Sequence, residues 1–148
     1  MPRPASVHPT DGELEILRVL WAAGPSSLSS VCEAIRRERD VAATTVATML
    51  RLMAGKALVR RAGSGRGALW SAAVSQQQTQ RRLVRRLVDR VFDGAADQLV
   101  AHLVEGGQLS EEQLADLRRL IDQAPAATDR TRRARGKKNE GNATGARR

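Results

Sequence analysis

Apolar positions recur along this chain at helical spacing, then in two short runs, then at helical spacing again. Leu14, Leu17, Leu20 and Trp21 share one face of a helix. Thr10-Asp11-Gly12-Glu13 before them reads as a capping box, in which hydroxyl and carboxylate satisfy reciprocal backbone donors. Gly24-Pro25 ends this helix. A second helix, capped by Ser27 or Ser29, buries Leu28, Val31 and Ile35 and turns Arg36, Arg37 and Arg39 to solvent. After a short connection over 40–43, a third helix runs to about Gly55 with Val46, Leu50 and Met53 inward. Leu58 to Ala62 is strand-like, 63–67 is a glycine-rich turn, and Leu69-Trp70-Ser71 is the returning strand. The expected fold is mainly α with a small β-hairpin, a winged helix-turn-helix.

A second helical module follows from about Ser75. Leu83, Val84, Leu87, Val88, Val91 and Phe92 form an apolar stripe too wide for a lone solvent-facing helix. Gly94 breaks it, and Leu99, Val100, Leu103 and Val104 mark another helix ended by Gly106-Gly107. Ser110-Glu111-Glu112-Gln113 is a second capping box, opening a last helix with Leu114, Leu117, Leu120 and Ile121. Short helices bury little alone, so the excess apolar surface implies docking against another chain. Leu83, Leu87, Val91, Phe92, Leu99, Leu103 and Leu117 are the expected dimerisation residues. The expected organisation is a flexible arm over 1–9, a winged helix-turn-helix over 10–74, a dimerisation module over 75–123 and a disordered basic tail over 124–148.

Charge changes the picture. The 148 residues carry a formal net charge of +9, which favours a polyanionic partner. The charge is unevenly spread, however: the tail from Ala124 has eight basic residues against Asp129 and Glu140, and so holds +6. The body, taken as a whole, is only mildly basic. The tail reads either as a non-specific DNA clamp or as a solvated extension. Cys32 is the only cysteine, expected in or beside the core, and excludes an intrachain disulfide or a cysteine metal cluster. His8 and His102 have no ligand partners at metal-binding spacing. No cofactor, metal or catalytic constellation is expected, and hence no enzyme. With neither a membrane-length apolar run nor a signal-peptide core, the expected location is cytoplasmic. Aromatic residues are limited to Trp21, Trp70 and Phe92, too few for a row of base-stacking rings. Both tryptophans are expected as core rings, anchoring the first helix and the hairpin.

The third helix carries the candidate chemistry. Ala43, Thr44, Thr45 and Thr48 are short and uncharged, which lets a helix approach the floor of a DNA major groove, and Arg51 follows closely. Arg60, Arg61 and, at the hairpin tip, Arg66 are suited to phosphate or minor-groove contact. Helix capping and ordinary solvated surface are the competing readings for the threonines. The expected function is sequence-specific binding of double-stranded DNA. The alternative is a winged-helix protein-interaction adaptor without specific DNA binding.

With these residues in hand, the chain resembles the penicillinase-repressor family of winged-helix regulators. The resemblance rests on Gly12-Glu13-Leu14-Glu15-Ile16-Leu17 with Leu20-Trp21, on Thr44-Thr45-Val46-Ala47-Thr48-Met49-Leu50, on Gly55-Lys56-Ala57-Leu58-Val59-Arg60-Arg61, and on the Gly-Arg turn before Leu69-Trp70. Phe92-Asp93-Gly94 and Leu109-Ser110-Glu111-Glu112-Gln113-Leu114 extend it to about Asp122. It implies a homodimeric repressor of a palindromic operator, dimerised by its carboxyl-terminal helices. It also implies a partner, a membrane metalloprotease sensor or its signalling protease, that causes cleavage in the dimerisation region. Three departures stand out. His102-Leu103 occupies the place of the Asn-Phe cleavage pair. The Cys-x-Cys cluster of copper-responsive members is absent. Ala57 stands where a glycine is usual.

Overall fold

The computed structural model describes residues 8–124, so the expectations for the tail, and for most of the amino-terminal arm, fall outside the described residues. Elements follow in the order α1 (Asp11–Ala23), α2 (Leu28–Arg36), α3 (Ala43–Gly55), β1 (Val59–Ala62), a 3-10 turn over Gly65–Gly67, β2 (Leu69–Ala72), α4 (Gln76–Val91), α5 (Ala96–Glu105) and α6 (Glu111–Asp122). This is the winged helix-turn-helix architecture, followed by further helices. The described residues fall into two compact units, one ending at Gly94 and one beginning at Ala95.

In the first unit, three helices enclose one core. Ile16, Leu17, Val31, Val46, Leu50 and Met53 are fully buried, with Leu20, Cys32, Ile35, Leu58, Val59 and Trp70 around them. The capping box forms at Thr10 and Glu13, and Ser27 rather than Ser29 caps α2 by accepting from the Ser30 N–H. Arg36, Arg37 and Arg39 are exposed. Two of them nonetheless tie elements together: the Arg36 Nε donates to the Val41 carbonyl at 3.1 Å, and Arg39 forms an ion pair with Glu15. Trp21 is half-buried, and its indole N–H donates to the Val74 carbonyl at 3.0 Å, fastening α1 to the segment after the hairpin.

β1 and β2 pair antiparallel, with Arg61 opposite Trp70 and Val59 opposite Ala72. Ser26, in the α1–α2 turn, adds a one-residue third strand through Trp70 N to Ser26 O (2.8 Å) and Ser26 N to Trp70 O (2.9 Å). The hairpin is therefore held by backbone bonds to the helical body as well as by its buried tryptophan. Gly63 and Gly65 take positive φ at the tip, which costs glycine nothing.

Ala57 also takes a left-handed conformation (φ 59°), just after α3, so the alanine keeps the turn that a glycine would make easily. Replacing Ala57 with Gly is expected to raise unfolding free energy by about 1 kcal/mol. An unchanged or lower denaturant midpoint would contradict that reading.

A buried ion pair joins α1 to the end of α3. The Lys56 ammonium lies 2.8 Å from the Glu13 carboxylate, whose side chain is only 6 % exposed. Burial pushes the Glu13 carboxyl up. Hydrogen bonds from Lys56 and Thr10, with the Lys56 charge, outweigh this and hold it below the ordinary value of 4.5. A carboxyl lowered by folding stabilises the native state at neutral pH, and that contribution is lost as pH falls from about 4.5 through the native value. Glu13→Gln should therefore flatten the acid limb of the stability profile. Lys56→Met should cost roughly 2 kcal/mol at pH 7 by leaving the carboxylate short of a partner. Equal acid sensitivity in wild type and Glu13→Gln would remove Glu13 from this role.

α4 is followed by Asp93 and Gly94, both at positive φ, with the Phe92 and Gly94 N–H groups bonding back to the Val88 carbonyl. Its apolar stripe is divided. Val88 is buried and Leu83 and Phe92 are half-buried, whereas Val84, Leu87 and Val91 are exposed. In the second unit, no residue of α5 or α6 is fully buried; Leu99, Leu103, Leu114 and Leu117 are half-buried, and Val100, Val104, Leu120 and Ile121 are exposed. Among the described residues, no helix is long and apolar enough to cross a membrane.

Candidate nucleic-acid interface

The orientation of α3 follows from its buried face. Val46, Leu50 and Met53 point into the core, so the opposite side must carry Thr44, Thr48 and Arg51, flanked by Thr45. All four are exposed. The N-cap position of α3 is Ala42, which has no side-chain acceptor, so neither Thr44 nor Thr45 is used as a cap. This removes the capping alternative for both. The Thr48 hydroxyl donates to the Thr44 carbonyl at 2.9 Å, which fixes its rotamer and leaves its oxygen able to accept. Arg51 leans towards that oxygen, at 3.5 Å.

Between α3 and the hairpin lies an open groove of about 650 Å³, lined by Ala47 and Arg51 from α3, Arg61, Gly65 and Arg66 from the hairpin, and Ser29 from α2, with Trp70 alongside. Arg61 is held over the Trp70 ring, its guanidinium carbon 5.6 Å from the centroid. That contact restricts a long side chain beforehand and so reduces the entropy lost when it meets a ligand. Three of the four expected arginines thus converge on one concave surface. Arg60 does not join them. Strand side chains alternate, so Arg60 projects from the face of β1 opposite Arg61 and Val59. Ala43, Thr44, Thr45 and Thr48 all lie outside the lining of the groove, to which α3 contributes Ala47 and Arg51.

The segment of chain that holds the site is also more cationic than whole-chain averages indicate. From Val41 to Val88 there is no Asp or Glu, against nine cations: Arg51, Lys56, Arg60, Arg61, Arg66, Arg81, Arg82, Arg85 and Arg86. Lys56 is engaged by Glu13. The mild basicity of the body as a whole hides this segment, because the stretch after it is acidic. A count in windows would have exposed it. Among the described residues no group of three or more His, Cys, Asp or Glu side chains is placed to hold a metal ion.

Comparison with known proteins gives one coherent family. Residues 9–123 match the family model described as penicillinase repressor. The chain is 20 % identical over 113 residues to the methicillin resistance regulatory protein MecI of Mammaliicoccus sciuri, an alignment covering 76 % of this chain and 92 % of that protein. Among solved structures it is similar to monomeric BlaI of Bacillus licheniformis in complex with the blaP half-operator, at TM-score 0.42 and 20 % identity, over 47 % of this chain and 85 % of that one. The match to the family model spans the winged helix and all the helices after it, and on that ground the chain belongs to the penicillinase repressor family.

Proposed function

We propose that the protein is a DNA-binding transcriptional repressor that acts as a homodimer on a palindromic operator. Membership of a family of transcriptional regulators, not enzymes, is the background. The observation that carries the reading is the convergence of Arg51, Arg61 and Arg66 on the groove beside an α3 whose outer face is short, polar and free of acids. In this reading Thr44, Thr45 and Thr48 meet base edges, and the first turn at Ala43 and Thr44 lies against a phosphate. Arg51, Arg61 and Arg66 neutralise the backbone of one strand along the groove. Arg60, on the other face of the hairpin, contributes only to the general field. The dimer is supported by the uncovered Leu87 and Val91 on α4, with Leu83 and Phe92 beside them, and by Leu99, Leu103 and Leu117 in a unit with no fully buried residue in α5 or α6. The domain limits proposed are a winged helix over 10–74 and dimerising helices over 75–123, with α4 assigned to the first compact unit by its contacts.

Selection from random duplexes should recover a palindromic site. Thr45→Ala should weaken the selected site by about 1–3 kcal/mol while leaving random DNA unaffected. Unaltered selectivity in that variant would take base reading away from α3, and failure to enrich any site would favour an adaptor role. As a signalling partner we propose a membrane metalloprotease or the protease it activates, acting on the dimerisation region. His102 and Leu103 sit inside the regular turns of α5, so cutting there requires α5 to open first. Co-expression with a neighbouring metalloprotease should release fragments ending near residue 102. An intact chain under inducing conditions would exclude this partner.

A further inference from the structure

α4 is divided lengthwise. Its apolar positions, Leu83, Val84, Leu87, Val88 and Val91, occupy one half of the helical circumference at 3.6 residues per turn. Arg81, Arg82, Arg85, Arg86 and Arg90 occupy the other. The only acid on the helix is Asp89, so α4 carries a net charge of +4. All five arginines are exposed, and none is in an ion pair among the described residues. The following unit has the opposite balance. From Ala95 to Asp122 there are six acids, Asp97, Glu105, Glu111, Glu112, Asp116 and Asp122, against Arg118 and Arg119, a net charge of −4. All six acids are exposed. Both surfaces also present uncovered apolar side chains: Val84, Leu87 and Val91 on α4, and Val100, Val104, Leu120 and Ile121 on the second unit.

We infer that the arginine half of α4 docks against the acidic 95–122 unit of a second copy of this chain, reciprocally, so that the dimer is an exchange of opposite charges flanking an apolar seam. This rests on the homodimer reading above and names the surfaces that meet. Two features select this occupant over others. The charges are equal and opposite, and each surface has an apolar strip beside its charged one, as a protein interface with an apolar centre and a polar rim requires. A duplex laid along α4 would offer phosphates but nothing to cover Val84, Leu87 and Val91, and would lie next in sequence to a segment of net −4 that repels it. The same opposition steers encounter, so association is fast at low salt and weakens as ionic strength rises.

The test uses two full-length variants. In the first, Arg81, Arg82, Arg85 and Arg86 are changed to Glu. In the second, Glu105, Glu112, Asp116 and Asp122 are changed to Lys. Circular dichroism and the thermal transition establish that each is folded, and a parallel pair with Gln at the same positions covers a reversal that fails to fold. Sedimentation at low salt should show the wild type dimeric and each reversed variant mostly monomeric, with the Gln variants weakened about thirtyfold. Mixing the two reversed variants should restore a one-to-one heterodimer, because both exchanged contacts then join opposite charges. Dimers that persist in each variant alone, or a mixture that stays monomeric, would overturn the inference. Variants that dimerise normally but lose affinity for random duplex would assign the arginines to DNA instead. A wild type monomeric at low salt would refute the homodimer itself, an outcome distinct from the others.

Discussion

Replacing Arg51, Arg61 and Arg66 together with alanine should weaken binding to every duplex, operator or random, by about a thousandfold at moderate salt. Each charge-assisted contact is worth about 1.5–3 kcal/mol when formed, and the low end of that range applies to side chains as exposed as these. The stronger discriminator is the salt dependence. Each phosphate no longer neutralised should remove about 0.9 from the slope of log affinity against log salt, so the triple variant should lose between 2 and 3 in slope. The operator-to-random ratio should change little, since phosphate contacts carry no sequence. Folding is expected to survive because all three side chains are exposed; Arg61 alone touches a core ring, and its loss over Trp70 should cost about 0.5 kcal/mol. A full wild-type slope in the folded triple variant would mean that duplex does not enter the groove. A single Arg60→Ala change offers an internal contrast. It sits on the other face of the hairpin and should reduce the slope by much less.

That contrast also shows what the sequence can and cannot reveal. The helices were legible because each is signalled locally. Thr10 with Glu13 and Ser110 with Gln113 announce helix starts by residues three apart, and apolar spacing marks the buried faces. The hairpin was legible from its glycines. Other features join positions far apart in the chain and leave no periodic trace. The Lys56–Glu13 pair spans 43 residues, the Arg39–Glu15 pair spans 24, and Ser26 meets Trp70 only through backbone atoms that any residue type offers. Arg60 and Arg61 illustrate an intermediate case. Adjacent strand residues must face opposite ways, yet only the register, with Arg61 opposite Trp70, decides which of them meets the groove. The cap of α3 shows the reverse difficulty. Threonines near a helix start favour capping by composition, but the N-cap of α3 is Ala42, which leaves them exposed on its outer side. Finally, the acid-free segment from Val41 to Val88 was present in the sequence all along, concealed by averaging with the acidic helices beyond it.

Changing Leu87 and Val91 to Asp should convert the repressor to a monomer at micromolar concentration and lower operator affinity by about a hundredfold to ten-thousandfold. In the single chain these side chains are 42 % and 65 % exposed, so the folded protomer gains little from them and the double variant should keep its helical content. Within a dimer each would be covered. Burying a large aliphatic side chain contributes roughly 1.5–3 kcal/mol in full, and about half of that here, given what the protomer already buries. The substitution then adds the cost of desolvating four carboxylates per dimer, which far exceeds the lost apolar contribution. The consequence for DNA follows from geometry rather than from any contact. Two winged helices held together meet their half-sites at an effective concentration near millimolar, and separated ones bind each half-site independently. Half-site affinity should therefore be unchanged while full-site affinity collapses to nearly the same value. That pairing of results distinguishes loss of dimerisation from damage to the reading head. If the double variant still sediments as a dimer, the exposed stripe of α4 is not the seam. A monomeric variant with undiminished operator affinity would show that one winged helix suffices for binding.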